Sequence, residues 1–294
     1  MIKAVSRTTL QSVVSKIVKH YPSQYADSSW DNTGLLIDCS EEDGEAHVKA
    51  LLTIDLTKEV AQEAIDKQCN LIIAYHPFIF PNLKSIRPLE NTQQNSLIKL
   101  VKNNVSVYCP HTAVDAAKGG VNDWLSLGLV SYQPDKIKSI TSIERLSNPK
   151  LLVGTDTMEE VGYGRVVQFH TALSLSAIIN SLKALMNLQH LQVSSNVRNL
   201  DTYMVSAAAV CAGSGAGVFK ALSPTDLQAI DLIFTGELSH HDVLRYKEMG
   251  KAVIVCNHSN SERGYLKDEM LPRLANEGID CTVSDTDMDP LRVI

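Results

Sequence analysis

The chain has 294 residues, of which 44% are hydrophobic and 20% charged, and a formal net charge of −6 at pH 7. That is the composition of a globular chain with ample core for one large domain or two modest ones. The acidic balance argues against direct nucleic-acid binding through a broad basic surface, and no apolar run is long enough for a membrane span.

In chain order, the first 26 residues carry Lys3, Arg7, Lys16 and Lys19 but no acid, a composition shared with mitochondrial presequences. Leu10, Val13, Val14, Ile17, Val18 and Tyr21 nevertheless fall on one helical stripe, so the segment is read as the first helix of the folded protein. "WDNTGLL" (30–36) reads as a turn that offers Asp31 and Asn32 as candidates for the rim of a site. "VKALLTIDL" (48–56) predicts a strand and "TKEVAQEAIDKQ" (57–68) a helix. "NLIIAYH" (70–76) is a second strand, "NTQQNSLIKLVKNN" (91–104) a helix capped by Asn91 or Thr92, and "VSVYCPH" (105–111) a third strand.

Further on, "GYGRVVQFH" (162–170) predicts a strand and "SLSAIINSLKALMN" (174–187) a helix, followed by strand patterns in 188–195 and 201–215. "CAGSGAG" (211–217) has Val218 where a dinucleotide fingerprint needs glycine, so it is read as a flexible turn, with a loop whose amides face an anionic substrate as the less favoured reading. "IDLIFTGE" (230–237) is a strand. "SHHDVLRYKEMG" (239–250) is a helix opened by a Ser-x-x-Asp box and closed by Gly250. "KAVIVCNH" (251–258) is the next strand, and 259–278 is mostly helix. Strands alternating with helices predict an α/β fold of two lobes, 1–130 and 131–294, with mainly parallel sheets flanked by helices.

Six cysteines are present, none in a C-x-x-C pair, and four lie in or beside apolar runs. They suit a reducing compartment, with the cytoplasm the expected one and the mitochondrion the other reading.

Parallel α/β sheets gather their sites beyond the C-terminal strand ends. One strand here ends in Tyr75-His76, the next in His111 with Asp115 four residues on. A later strand ends in Glu237, followed by His240 and His241, and another in His258, with Glu262 one helical turn away. Imidazoles and carboxylates converging in this way suit Zn, Mn, Fe or Co. A lone histidine is more often a hydrogen-bonded structural residue; the repeated strand-end placement is what raises the metal reading. No G-x-S-x-G elbow supports a serine triad.

"WDNTGLLI", "YHPFIF", "HTAVDAAKGGVND", "CAGSG", "TGELSHHD" and "NHSNSERGYL" occur in order from about residue 30 to 266. Together they resemble the Ngg-one-interacting factor three-like family, whose bacterial members are often labelled GTP cyclohydrolase I type 2. The resemblance implies two similar lobes with a dinuclear metal centre in the cleft between them, and ring-shaped homo-oligomers, commonly hexamers. It implies His76, Asp115 and Glu262 as ligands of one ion, and His258 and Glu262 as ligands of the other, Glu262 bridging. The stretch between the lobes is too short for the large inserted domain of some bacterial members. Those members usually have a histidine where this chain has Tyr75, a pattern like that of the eukaryotic branch. A phenol of pKa about 10 is a poor ligand, so the second ion is expected to bind more weakly or to be completed by His111, His240 or water.

The function expected from this is metal-dependent hydrolysis, with His111 or His241 moving protons. The cyclohydrolase label alone suggests a small anionic or heterocyclic substrate. The alternative is a non-catalytic metal-binding protein that binds a transcriptional co-regulator, the interaction the family is named for.

Overall fold

The computed structural model describes residues 2–80 and 83–291. The chain divides into two compact units: Met1–Val114 with Tyr265–Met288, and Asp115–Gly264 with Asp289–Ile294. This division differs from the expected one at residue 130. The first unit closes earlier and takes back a late segment, because the last strand adds to the first sheet.

The first unit opens with α1 (Arg7–His20), capped by Ser6, whose hydroxyl accepts from the Thr9 amide. Leu10, Val13 and Ile17 of its apolar stripe are buried. Then come β1 (Gly34–Ile37), β2 (Lys49–Thr53), α2 (Lys58–Asp66), β3 (Leu71–Ala74), α3 (Thr92–Lys102) and β4 (Ser106–Cys109). α4 (Thr112–Ala116) spans the boundary into the second unit. Asn91 caps α3 through its side chain, one of the two expected caps.

The second unit contains α5 (Val121–Gly128), β5 (Ile137–Arg145), β6 (Gly162–Ser174), α6 (Leu175–Met186), β7 (Gln192–Ser194) and β8 (Met204–Ser214). It continues with α7 (Pro224–Ala229), β9 (Leu232–Glu237), α8 (His240–Glu248), β10 (Ala252–Val255) and α9 (Asn260–Tyr265). The predicted Ser-x-x-Asp box forms: Ser239 Oγ accepts from the Asp242 amide at 3.2 Å and donates to its carboxylate at 2.6 Å. α10 (Leu271–Asn276) and β11 (Asp280–Val283) return to the first unit. Between α9 and α10, Leu266–Met270 forms a π-helical turn just ahead of Pro272. Proline has no N–H, and its ring crowds the carbonyl one turn back, so the ladder widens there.

The sheet of the first unit has the order β1-β4-β3-β2-β11. It is parallel except for β1, which pairs antiparallel with β4. β3 is buried along its whole length, as a strand covered on both faces must be. Ile72, Ala74 and Val107 pack with Val60, Ala64, Leu97 and Leu100 of the helices.

The sheet of the second unit has the order β5-β6-β8-β9-β10-β7. β8, β9 and β10 are mutually parallel, and antiparallel strands flank them on both sides. One face packs Ala209, Ile233 and Val253 against Phe219 and Tyr246. No helix among the described residues is long and apolar enough to cross a membrane.

Candidate metal centre

In the first unit, three parallel strands stop in register and release polar residues at their C-terminal ends. β2 leads to Asp55, β3 to Tyr75 and His76, and β4 to His111. His76 Nδ1 lies 2.9 Å from Asp55 Oδ1, and His111 Nδ1 lies 2.7 Å from Asp31 Oδ1. The two imidazoles meet edge to face at 5.5 Å, and the Tyr75 ring stands edge-on to both, at 5.4 and 6.2 Å.

The Asp31 side chain is only 1% exposed. The Thr112 hydroxyl donates to its Oδ2, and the Asn32 amide donates to Oδ1 at 2.7 Å. Burial opposes ionisation of this carboxyl, but the His111 and Thr112 contacts outweigh it and hold the pKa below the usual range. His111 has φ of 30°, outside the ordinary regions for a side-chain-bearing residue.

In the second unit, Glu237 closes β9, while His258 follows the end of β10 and Glu262 lies on α9. His258 Nδ1 lies 3.0 Å from Glu237 Oε2, and its Nε2 lies 3.5 Å from Glu262 Oε1. Glu262 is buried, at 2% exposure. Gly213, with φ of 60°, lies under both side chains: a Cβ there would stand 2.8 Å from Glu262 Oε1 and 2.8 Å from His258 Nε2. Only glycine gives both groups that room while adopting that backbone. Asp115 lies on α4, where its carbonyl accepts from Asn122 Nδ2 at 2.9 Å.

This chemistry fits a divalent metal. In His76 and His258 alike, a carboxylate holds Nδ1, so Nε2 is the nitrogen offered for coordination; metal-bound histidines are usually oriented by such a partner. His258 and Glu262 lie together in the second unit, and His76 is a further imidazole donor in the first; a donor set of these residue types is compatible with a metal ion. Zn, Mn, Fe and Co all accept such donors.

Other expected residues take different places. Asp31 is the partner of His111, its carboxylate turned inward. Asn32 turns its amide to the Ile79 carbonyl, bracing the loop after His76. Glu237 is the orienting partner of His258. His240 and His241 stand exposed in the first turn of α8, rings 5.3 Å apart, and neither enters the donor set among the described residues. Asp55 was not among the candidates, although "TIDL" puts it at a strand end as clearly as the others. Gly213 lies in a segment read as a flexible turn, and its role became visible only through the packing of His258 and Glu262.

The sequence matches, over residues 8–290, the family model described as Duf34/NIF3 (NGG1p interacting factor 3). NGG1-interacting factor 3 of Saccharomyces cerevisiae is 48% identical over 300 residues, covering 100% of this chain and 100% of its own. NIF3-like protein 1 of Homo sapiens is 30% identical over 360 residues, covering 97% of this chain and 92% of its own. The crystal structure of a Bacillus cereus protein related to NIF3 shares the fold, with a TM-score of 0.76 at 19% identity, covering 97% of this chain and 98% of that one.

Proposed function

The chain belongs to the Duf34/NIF3 family, and from that premise we propose that it is a metal-binding, hydrolase-like protein with a mono- or dinuclear divalent centre. The ligands in this reading are His76, Asp115, His258 and Glu262, with Glu262 shared where two ions bind. The observation that carries it is the repeated carboxylate contact on Nδ1, from Asp55 to His76 and from Glu237 to His258.

When bound, the ion supplies Lewis acidity at this donor set. The chain supplies proton handling. His111 takes a proton at Nε2, and the buried Asp31 on its Nδ1 stabilises the imidazolium. His241 is a second proton carrier in the first turn of α8. Tyr75 takes the sequence position at which bacterial members usually have a histidine, so in this reading His111, His240 or water would complete the second ion's ligands. The substrate is a small anionic or heterocyclic molecule. The protein works as a closed homo-oligomer, a hexamer, in the cytoplasm, where its six free cysteines stay reduced.

A second reading is favoured by the name of the yeast relative, which records an interaction with NGG1. In that reading the metal is structural, and the chain binds a transcriptional co-regulator without turning over a substrate. A screen of phosphoesters, nucleotides and cyclic amides, with and without Zn, Mn, Fe or Co, separates the two. Metal-dependent turnover of one class supports the hydrolase. Full metal occupancy with no turnover of any class supports the interaction protein.

A further inference from the structure

Asn122 is a polar side chain at 0% exposure, in the first turns of α5. Both ends of its amide are used. Nδ2 donates to the Asp115 carbonyl at 2.9 Å, and Oδ1 accepts from the Ala212 amide at 2.8 Å. Asp115 and Ala212 lie 97 positions apart in sequence by their numbers, and this one side chain ties the two segments together.

The second segment continues into the proposed ligands. Ala212 precedes Gly213, the glycine on which His258 and Glu262 rest. The Gly213 amide donates to Ser261 Oγ at 2.8 Å, and Ser261 Oγ donates to the His258 carbonyl at 2.6 Å. Ser261 is also at 0% exposure. Thr235 Oγ1 donates to the Gly213 carbonyl at 3.1 Å. A buried chain of hydrogen bonds therefore runs from Asp115 through Asn122, the end of β8 and Ser261 to His258. It joins the segment that carries Asp115 to the one that carries His258 and Glu262. No carboxylate or imidazole in the set is moved by these bonds directly; all of them act on backbone, so they fix where each segment starts.

We infer that Asn122 is a positioning residue for the metal centre, holding the Asp115 segment at a set distance from the Gly213 floor beneath His258 and Glu262. The inference rests on the metal-centre reading above. A carbonyl acceptor and an amide donor buried together need a partner of both kinds, and an asparagine side chain is one of the few groups that offers both at this length. Its loss leaves both segments folded but free to shift by the few tenths of an ångström that metal coordination does not tolerate.

The test is calorimetric titration of metal-stripped full-length protein with Mn and with Zn, together with the visible absorption spectrum of the Co-loaded protein. Asn122→Ala, Ser261→Ala and Ser126→Ala are compared with wild type. Ser126 is a structural control: its hydroxyl is buried and bonds to the Asn122 carbonyl at 2.7 Å within α5. The expected result is a 10- to 100-fold loss of affinity in Asn122→Ala, as for other residues that support metal ligands, with altered Co bands. Ser261→Ala shifts in the same direction. Ser126→Ala lowers the melting temperature of the apoprotein without changing affinity or spectrum. Wild-type affinity in Asn122→Ala, or an equal loss in Ser126→Ala, overturns the inference. If Asn122→Ala does not fold, wild-type affinity in Ser261→Ala overturns it. A wild type that takes up no metal instead overturns the metal reading itself.

Discussion

His111 Nδ1 and Asp31 Oδ1 lie 2.7 Å apart, joining residues 80 positions apart in the sequence. A buried carboxylate on Nδ1 fixes the proton there and leaves Nε2 as the lone-pair nitrogen. Selective nitrogen labelling of histidine, read by long-range NMR correlation, should show His111 as the Nδ1–H tautomer. In Asp31→Asn that preference should disappear, and the protein should lose about 1–3 kcal/mol of stability through disrupted buried hydrogen bonds. An Nε2–H tautomer in the wild type would contradict the assignment.

Glu262→Gln should remove most of the bound metal. The substitution keeps the shape at a buried position and deletes the charge beside His258 Nε2. An amide oxygen is a far weaker ligand for a divalent ion than a carboxylate. Elemental analysis after gentle purification checks this, and metal content equal to wild type would remove Glu262 from the ligand set.

Tyr75→His should raise metal stoichiometry or affinity. Tyr75 is 1% exposed and packs against His76 and His111. A neutral imidazole coordinates at pH 7 without the deprotonation a phenol requires. Loss of a phenol hydrogen bond would offset about 1 kcal/mol. Titration of the stripped protein with Zn or Mn is the measurement, and identical binding curves would place Tyr75 outside the second site.

Family membership predicts a closed homo-oligomer larger than a dimer. Light scattering at micromolar concentration should give a mass several times the 32.2 kDa of one chain. A mass near that of one chain or two refutes the expectation.

Glu63 supplies a pH-dependent contribution away from the metal centre. Its carboxylate accepts from the Asp285 and Thr286 amides, the Ser284 and Thr286 hydroxyls and the Lys67 ammonium. Burial opposes its ionisation, but these donors outweigh it and lower the pKa to about 2. Because the folded value is depressed, the stabilisation is complete above the ordinary value of 4.5 and declines as pH falls toward about 2. The shift corresponds to about 3 kcal/mol at neutral pH, roughly half of it gone by pH 3. Glu63→Gln should therefore be less stable than wild type in urea at pH 7, with a gap that narrows at pH 3. A gap independent of pH would show that the carboxylate's charge is not the cause.

Where hydrophobic periodicity was clean, the elements were legible: the strands leading to His76, His111, Glu237 and His258 all lie where the pattern put them. β5 was missed for a physical reason. Its isoleucines at 137, 140 and 143 repeat every third residue, and none of them is fully buried. That spacing mimics a helix more than a strand. β7 is shorter than the pattern in 188–195 suggested, since only Gln192–Ser194 finds a partner, in β10. For the site, chemistry at strand ends named candidate donors but not the carboxylates that hold their histidines. Asp31 and Glu237 were visible as carboxylates, yet which histidine each holds depends on strand order. Asn122 gave no signal, because an asparagine's value lies in the two backbone groups it meets.

β11 pairs with β2 although more than two hundred residues separate them. During synthesis, β2 therefore leaves the ribosome as an open sheet edge and stays open until Asp280–Val283 follows. Its Ala50, Leu51 and Leu52 are fully buried in the finished protein. An unpaired apolar strand of that kind recruits other strands. The nascent chain has a long window in which chaperone shielding governs yield, and shortening the chain before residue 280 makes that window permanent.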